Sequence, residues 1–319
     1  MSETRPILVT GAGGAVGAIG RRVVETLRAR GLPVRAFVHH EDERAQALRA
    51  TGADVVVGDL TRGDDVLRAM TGCGRVYFGM SPSSGYLEAT TVAAVAARQV
   101  GDLEAFVNMS QMTVSQMTLI STVESRQHRL QWLGERVLGW SGLPVVEIRP
   151  TVFMENPMLT ASIVDSIARD GTIRLPFGSA RTSPVLAADV AAVVAEVLAD
   201  PAPHLLQAYE LTGPGAVTGV ELALQFAEAL GRPVAYVDMP YRQWVDEVLA
   251  PLGLPEHLAE HLATMARLHA LGRYDRYTRD VERILGRPAQ GVGEYVAQLP
   301  RETLDRLSPV ATGRRHTGR

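Results

Sequence analysis

The sequence predicts an α/β fold, a doubly wound parallel-sheet Rossmann domain with a smaller, mainly helical C-terminal substrate domain. Three observations carry the prediction. Short β-rich runs alternate with longer helical runs through the first half, a βα pattern that calls for a parallel sheet with helices on both faces. Glycines at Gly31, Gly52, Gly101 and Gly142 stop several of the helical runs, as left-handed C-caps do. A glycine-rich loop follows the first apolar run directly.

Taken in order, strands are expected at 6–10 (PILVT), 33–38, 53–57, 75–79, 104–109 and 144–149, with helices at 16–30, 41–51, 64–70, 86–100 and 124–140 between them. After Pro150 the pattern changes to a helix at 157–169, an extended run at 172–186, a helix at 189–199 begun by Asp189 and a strand at 207–211. From 218 helices dominate, at 218–230, 240–250, 256–271, 278–285 and 293–299, with a short extended run at 233–237. Residues 1–156, rejoined by 184–213, are expected to form the sheet domain, and 157–183 with 214–307 a lid. A flexible tail is expected at 308–319.

Composition excludes several chemistries. The chain has 319 residues and no lysine; its 32 basic side chains are all arginine. Schiff-base catalysis, a phosphate-gripping P-loop lysine and a tyrosine–lysine acid are therefore unavailable. A net charge of −3 gives no basic field for nucleic acid. Cys73 stands alone, so an intrachain disulfide and a multi-cysteine metal site are excluded, and a small apolar filler is expected there. Only MSETR precedes the first apolar run, so no signal peptide and a cytoplasmic location are expected. The uncharged stretch 105–123 is too rich in Asn, Ser, Gln and Thr to be a membrane helix.

The loop reads Thr10-Gly11-Ala12-Gly13-Gly14-Ala15-Val16-Gly17, with Gly11, Gly14 and Gly17 spaced GxxGxxG between a strand and a helix. Glycine is needed where the chain turns tightly, where backbone approaches a pyrophosphate and where helix meets strand, and the phosphate then sits on the helix N-terminus. This context predicts a dinucleotide. The second strand ends in Phe37-Val38-His39-His40, with Arg44 following and no acid within the strand. Cations there suit a 2′-phosphate, so NADP(H) is expected over NAD(H). Gly58-Asp59-Leu60 ends the third strand and places Asp59 and Leu60 near the adenine, although Asp59 could equally cap the next turn.

The runs TGAGGAVG, VVGDL at 56–60 and SGLPVVEIRPTVFMENP at 141–157 resemble the NmrA-like branch of the atypical short-chain dehydrogenase/reductases, a likeness running from about residue 6 to 300. The resemblance implies a Rossmann domain for the cofactor and a C-terminal domain closing over a substrate, as in the group's NADPH-dependent quinone and dye reductases. It also exposes a departure. Typical members of the superfamily carry Tyr-x-x-x-Lys on the helix before SGL, with an acid four residues later; counting back from Glu135, those two positions hold Gln127 and Gln131. Some NmrA-like proteins only bind the cofactor, so a redox sensor acting through a protein partner is the alternative to an enzyme.

Chemistry has a route without that pair. A quinone, an extended enone or an aromatic carbonyl delocalises the charge that a hydride delivers, so positioning and a few hydrogen-bond donors suffice. Gln131 is placed to touch the nicotinamide ribose or the acceptor, and His128 is the nearest group able to donate a proton near neutrality. Gly79, Met80, Ser81, Asn108 and Ser110 are expected on the nicotinamide half, flanked by Pro150, Val152 and Phe153. Met80, Met109, Met112, Met117, Met154 and Met158 fall at the C-terminal ends of the fourth, fifth and sixth strands, an edge where open sheets bind ligands. Met112, Met154, Asn156 and Tyr274 are accordingly expected to meet a small aromatic or quinone-like substrate. The expected assembly is a monomer or homodimer, without nucleic acid or membrane.

The string His257-Leu258-Ala259-Glu260-His261 matches HxxEH, which can place two zinc ligands one helical turn apart. A third ligand is missing, and Leu258, Leu262 and Met265 read as the buried stripe of an ordinary helix. The arginines at 267, 273, 276 and 279 alternate with Asp275, Asp280 and Glu282 and read as a salt-bridged face.

Overall fold

The computed structural model describes residues 4–14 and 18–307. Ala15, Val16, Gly17 and the expected tail at 308–319 lie outside the described residues.

Strands β1 (Ile7–Val9), β2 (Val34–Val38), β3 (Asp54–Val57), β4 (Arg75–Phe78), β5 (Ala105–Met109) and β6 (Val145–Pro150) alternate with helices α1 (Ile19–Ala29), α2 (Glu43–Ala50), α3 (Gly63–Met70), α4 (Tyr86–Val100) and α5 (Arg126–Trp140). The next stretch holds α6 (Pro157–Thr160), α7 (Ser166–Asp170), β7 (Thr172–Leu175), β8 (Arg181–Thr182), α8 (Ala187–Ala199) and β9 (Ala208–Leu211). The remainder holds β10 (Val217–Thr218), α9 (Gly219–Leu230), β11 (Ala235–Asp238), α10 (Tyr241–Trp244), α11 (Glu256–Ala270), α12 (Asp280–Leu285), α13 (Val292–Gln298) and α14 (Arg301–Leu307).

Seven strands form one sheet in the order β3-β2-β1-β4-β5-β6-β9, every pairing parallel. The strand order reverses between β1 and β4, and such a switch point opens a crevice at the C-terminal strand ends. One face is covered by α1, α8 and α12, whose Val23, Leu27, Val190, Val194 and Val281 join the strand core; α3, α4 and α5 cover the other, through Val66, Ala93, Ala97 and Leu138. A separate core around Phe177, Phe226, Trp244 and Leu262 builds the C-terminal lobe.

Two boundaries differ from the sequence reading. The extended run at 172–186 divides: β7 pairs parallel with β11, and β8 pairs antiparallel with β10. The segment around α12, expected within the lid, packs Val281, Ile284 and Leu285 on the sheet domain. Its anchor is the buried Asp189 of α8, which accepts from Arg287 Nη2 (2.7 Å) and Gln290 N (2.6 Å). A buried carboxylate needs such partners, and nothing in the local pattern foretells who supplies them. No helix among the described residues is long and apolar enough to cross a membrane.

Candidate active site

At the end of β1 the chain must turn within van der Waals reach of β4. Gly11 has φ +63°, and a Cβ there would stand 2.5 Å from the Gly79 carbonyl oxygen. The neighbouring Thr10 hydroxyl donates to Gly79 O (2.9 Å) and accepts from Gly79 N (2.9 Å), which fastens the two strand ends. That hydroxyl is engaged by protein, while Thr10, expected to hold cofactor, also lines a cavity over the strand ends. Gly20 is also required, since a Cβ would meet Gly11 O at 2.7 Å where α1 crosses the loop.

Two cavities meet over this loop and share Gly11, Gly14, Gly79, Met80, Ser81 and Pro82. The first, about 440 Å³, runs over β2 and β3 and is lined by Gly13, Phe37, Val38, His39, His40, Asp42, Arg44, Asp59, Leu60 and Thr61. Arg44 donates Nε and Nη2 to Asp42 Oδ2 (2.9 and 2.7 Å) and Nη1 to the Gly13 carbonyl (2.8 Å). Its guanidinium therefore clamps the glycine loop as well as facing the cavity. Sequence reasoning missed Asp42, which also caps α2 by accepting from Arg44 N and Ala45 N. An aspartate just before a helical run was the available signal. Asp59 lines the cavity and also closes the following turn: its Oδ1 accepts from Thr61 N and Oγ1 (2.8 Å each), bonds that lower its pKa, with His39 Nε2 4.0 Å from Oδ2.

The second cavity, about 350 Å³, lies over the ends of β4, β5 and β6 and under α11. Its lining includes the expected Met80, Ser81, Ser110, His128, Gln131, Pro150, Val152, Phe153, Asn156 and Tyr274. Met109, Leu258, Leu262 and Met265 complete an apolar wall. Three expected residues are elsewhere. Asn108 lines neither cavity and turns under the sheet, donating Nδ2 to Glu147 Oε2 (2.6 Å). Met112 is fully buried, and Met154 packs in the C-terminal core beside a smaller third cavity. Asn156 reaches the second cavity, but its Oδ1 is taken by Met158 N (2.9 Å) as the cap of α6. Tyr274 is held rigidly by a three-ring stack, lying 3.8 Å from the His269 ring, which lies 4.2 Å from Phe177.

The N-terminus of α5 is where both lobes meet. Ser125 caps the helix and the third residue, His128, reciprocates, in the way Glu usually does. Gln127 is buried; its Oε1 accepts from Ser83 N (3.1 Å) and lies 2.8 Å from His257 Nε2. It joins α5, the β4 loop and α11 and is not a member of the second cavity's lining. The HxxEH histidines are engaged likewise, His257 on Gln127 and His261 with Nδ1 2.8 Å from Ser125 Oγ. Arg273 completes the junction by donating to Glu124 Oε1 (2.9 Å) and to Gln116.

His128 corrects one expectation. Burial, with smaller contributions from His261 and Arg273, holds its pKa well below the ordinary 6.5, so the ring is neutral at neutral pH and is no imidazolium acid. Its tautomer follows from geometry. Ser125 N–H donates to His128 Nδ1 (3.2 Å), and since an N–H only donates, the ring proton resides on Nε2. Nε2 is buried with no protein partner, as are Ser110 Oγ and Gln131 Oε1 of the same lining. These three polar atoms at one cavity are free to pair with a ligand there.

The family model described as NAD(P)H-binding matches residues 14–201. An NAD(P)H azoreductase of Xenophilus azovorans is 30% identical over 88% of this chain and 94% of its own. Among solved structures, an NADPH-dependent quinone oxidoreductase of Escherichia coli complexed with NADPH superposes with a TM-score of 0.78 at 23% identity, covering 91% of this chain and 98% of that one. The triphenylmethane reductase of Citrobacter sp. gives 0.77 at 21% identity, covering 92% and 99%. Both share the fold.

Proposed function

From a chain that belongs to the NAD(P)H-binding family, in the NmrA-like branch of the atypical short-chain dehydrogenase/reductases, we propose an NADPH-dependent reductase of quinone-like, enone or aromatic carbonyl acceptors. The observation that carries this reading is the apolar second cavity, continuous with the glycine-loop groove and edged by His128 Nε2–H, Gln131 Oε1 and Ser110 Oγ without protein partners. The glycine loop, Ser81 and Arg44 fit a dinucleotide, with Arg44 and His39 facing a 2′-phosphate. The names of the relatives, a quinone oxidoreductase, an azoreductase and a dye reductase, support a flat conjugated acceptor for this chain too.

When bound, the reduced nicotinamide supplies the hydride. The chain's own residues do the rest. Met80, Met109, Leu262 and Met265 seat a flat ring on soft apolar surface. His128 Nε2–H donates a hydrogen bond to the oxygen on which negative charge develops, a role a neutral imidazole fills and one worth several kcal/mol in a mostly apolar site. Leu258, Leu262 and Met265 of α11 cover the ring. Gln131 orients the ribose or the acceptor through its unpartnered Oε1.

The test is calorimetric titration with NADPH and NADH, followed by the absorbance of the reduced nicotinamide with a panel of quinones and polycyclic ketones. Tighter binding of NADPH and saturable oxidation are expected. Binding without oxidation of any acceptor overturns the enzyme in favour of a redox sensor, and no binding overturns both.

A further inference from the structure

The α5 and α11 junction places a second imidazole behind the first. Ser125 Oγ stands 2.8 Å from His128 Nδ1 on one side and 2.8 Å from His261 Nδ1 on the other, and the two rings meet edge to face with centroids 4.5 Å apart. Both rings line the cavity, and Ser125 is buried. A hydrogen bond to the acceptor oxygen needs only the outer atom of this polar chain, His128 Nε2–H. A buried polar chain of three members, drawn from two lobes and ending in an orphan donor at the cavity, is more than a helix cap requires: Ser125 Oγ already satisfies that cap through His128 N (3.2 Å).

We infer that Ser125 and His261 form a proton relay that feeds His128 from the C-terminal lobe while the acceptor is reduced. The inference rests on the reductase reading above. Hydride delivered to a quinone leaves an oxyanion. The His128 Nε2–H bond breaks as an O–H bond forms on that oxygen, and the Ser125 Oγ–H bond breaks as N–H forms at His128 Nδ1. The His261 Nδ1–H bond then breaks as O–H re-forms on Ser125, and His261 Nε2 takes a proton from cavity water. Both histidines stay neutral overall and exchange tautomers. One proton has moved from solvent to product, and the two electrons have come with the hydride. With product gone the shift runs backward: cavity water gives His128 Nε2 a proton, His128 Nδ1–H returns one to Ser125 Oγ as the Ser125 O–H passes one to His261 Nδ1, and His261 Nε2–H gives one back to water. His261 and Ser125 are positioning residues here, since only His128 meets the acceptor.

Chemistry supplies an internal control. A 1,4-benzoquinone needs a proton on oxygen after hydride arrives, whereas a cationic triarylmethane dye becomes a neutral C–H compound on hydride alone. The relay should therefore matter for the quinone only. In His261→Asn, whose amide keeps a donor toward Ser125 but cannot pass a proton through, the ratio of quinone kcat to dye kcat is expected to fall by about tenfold or more, within the range of acid assistance. Ser125→Thr, which keeps the hydroxyl, should hold the wild-type ratio, and Ser125→Ala should lower it. An unchanged ratio in His261→Asn, whether both rates fall together or neither falls, overturns the relay and leaves His261 as packing. Absence of oxidation by the unmutated protein with either acceptor overturns the reductase reading itself. A separate readout needs no turnover: ¹⁵N resonances of labelled histidine should show His128 protonated at Nε2 and His261 at Nδ1, and the opposite tautomer at either ring overturns the proposed direction of transfer.

Discussion

Acidification from pH 7 to 5.5 is expected to destabilise this fold by up to about 2 kcal/mol, the balance of two opposed sets of buried groups. Burial holds His128 well below 6.5, burial and then His257 hold His261 at about 3, and burial holds His269 at about 3 against the favourable Met265 carbonyl. A depressed folded pKa means that the unfolded chain takes up its proton first. The stability these rings contribute is complete above the unfolded value near 6.5 and is lost as the pH falls below it. With the folded rings staying neutral, the unfolded value alone sets a cost of a little over ~1 kcal/mol per ring between pH 7 and 5.5, so the three together cost about 4 kcal/mol. Glu147 acts oppositely. Burial and the Glu135 carboxylate push it well above the usual carboxylate range, so the folded chain keeps this proton across the interval while the unfolded chain does not. That returns about 1.4 kcal/mol per pH unit, or about 2 in all. Glu155, raised by burial, lies on the same side and makes the net figure an upper one. Glu147→Gln deletes the larger opposing contribution, so its loss between the two pH values should be about 4 kcal/mol. Urea unfolding followed by circular dichroism at both pH values measures these differences. An acid loss in Glu147→Gln no larger than in the unmutated protein would refute the reasoning, because Glu147 would then be titrating as an ordinary surface acid.

Two further substitutions address the cofactor groove. Gly11→Ala forces a Cβ to within 2.5 Å of Gly79 O at φ +63°; it should cost at least about 1–2 kcal/mol in urea unfolding and abolish calorimetric binding of NADPH, because the Thr10–Gly79 clasp has to open. Arg44→Ala frees Asp42 and removes the guanidinium from the mouth of the first cavity, so it should weaken NADPH about tenfold more than NADH. Equal weakening of the two cofactors would mean that Arg44 serves the loop through Gly13 and does not read the phosphate.

The parts of the molecule legible in the sequence are those fixed by local physics. The glycine loop declares itself because φ +63° and a 2.5 Å approach admit no side chain at Gly11, and the six βα strands declare themselves by short apolar runs between glycine-stopped helices. Placing residues at the C-terminal edge of the sheet was also within reach, since strand ends follow from strand positions. Which way each residue faces there was not. Successive side chains of a strand point to opposite faces, so Asn108 turns to Glu147 while the adjacent Met109 reaches the cavity. A methionine count at strand ends blurs this alternation and draws in Met112 and Met154, which are core.

The histidines show the limit more sharply, and they also show what local reading can still contribute. HxxEH spacing correctly puts His257 and His261 on one face of a helix, yet spacing is silent on what that face meets. Its partners, Gln127 and Ser125, lie 130 and 136 residues away in sequence, brought there by the C-terminal lobe folding back onto α5. The same contact decides the chemistry of His128. Read alone, a histidine beside a cofactor loop suggests a proton donor titrating near neutrality; enclosed by α11 and capped by Ser125, it becomes a neutral ring with one proton fixed on the cavity side. The lobe that covers the second cavity thus also sets the protonation of a group that lines it. On the proposed reductase reading, a substitution on α11 that loosens this closure without touching the cavity wall should raise the His128 pKa by reducing its burial, and so shift the pH profile of turnover before it alters calorimetric NADPH affinity.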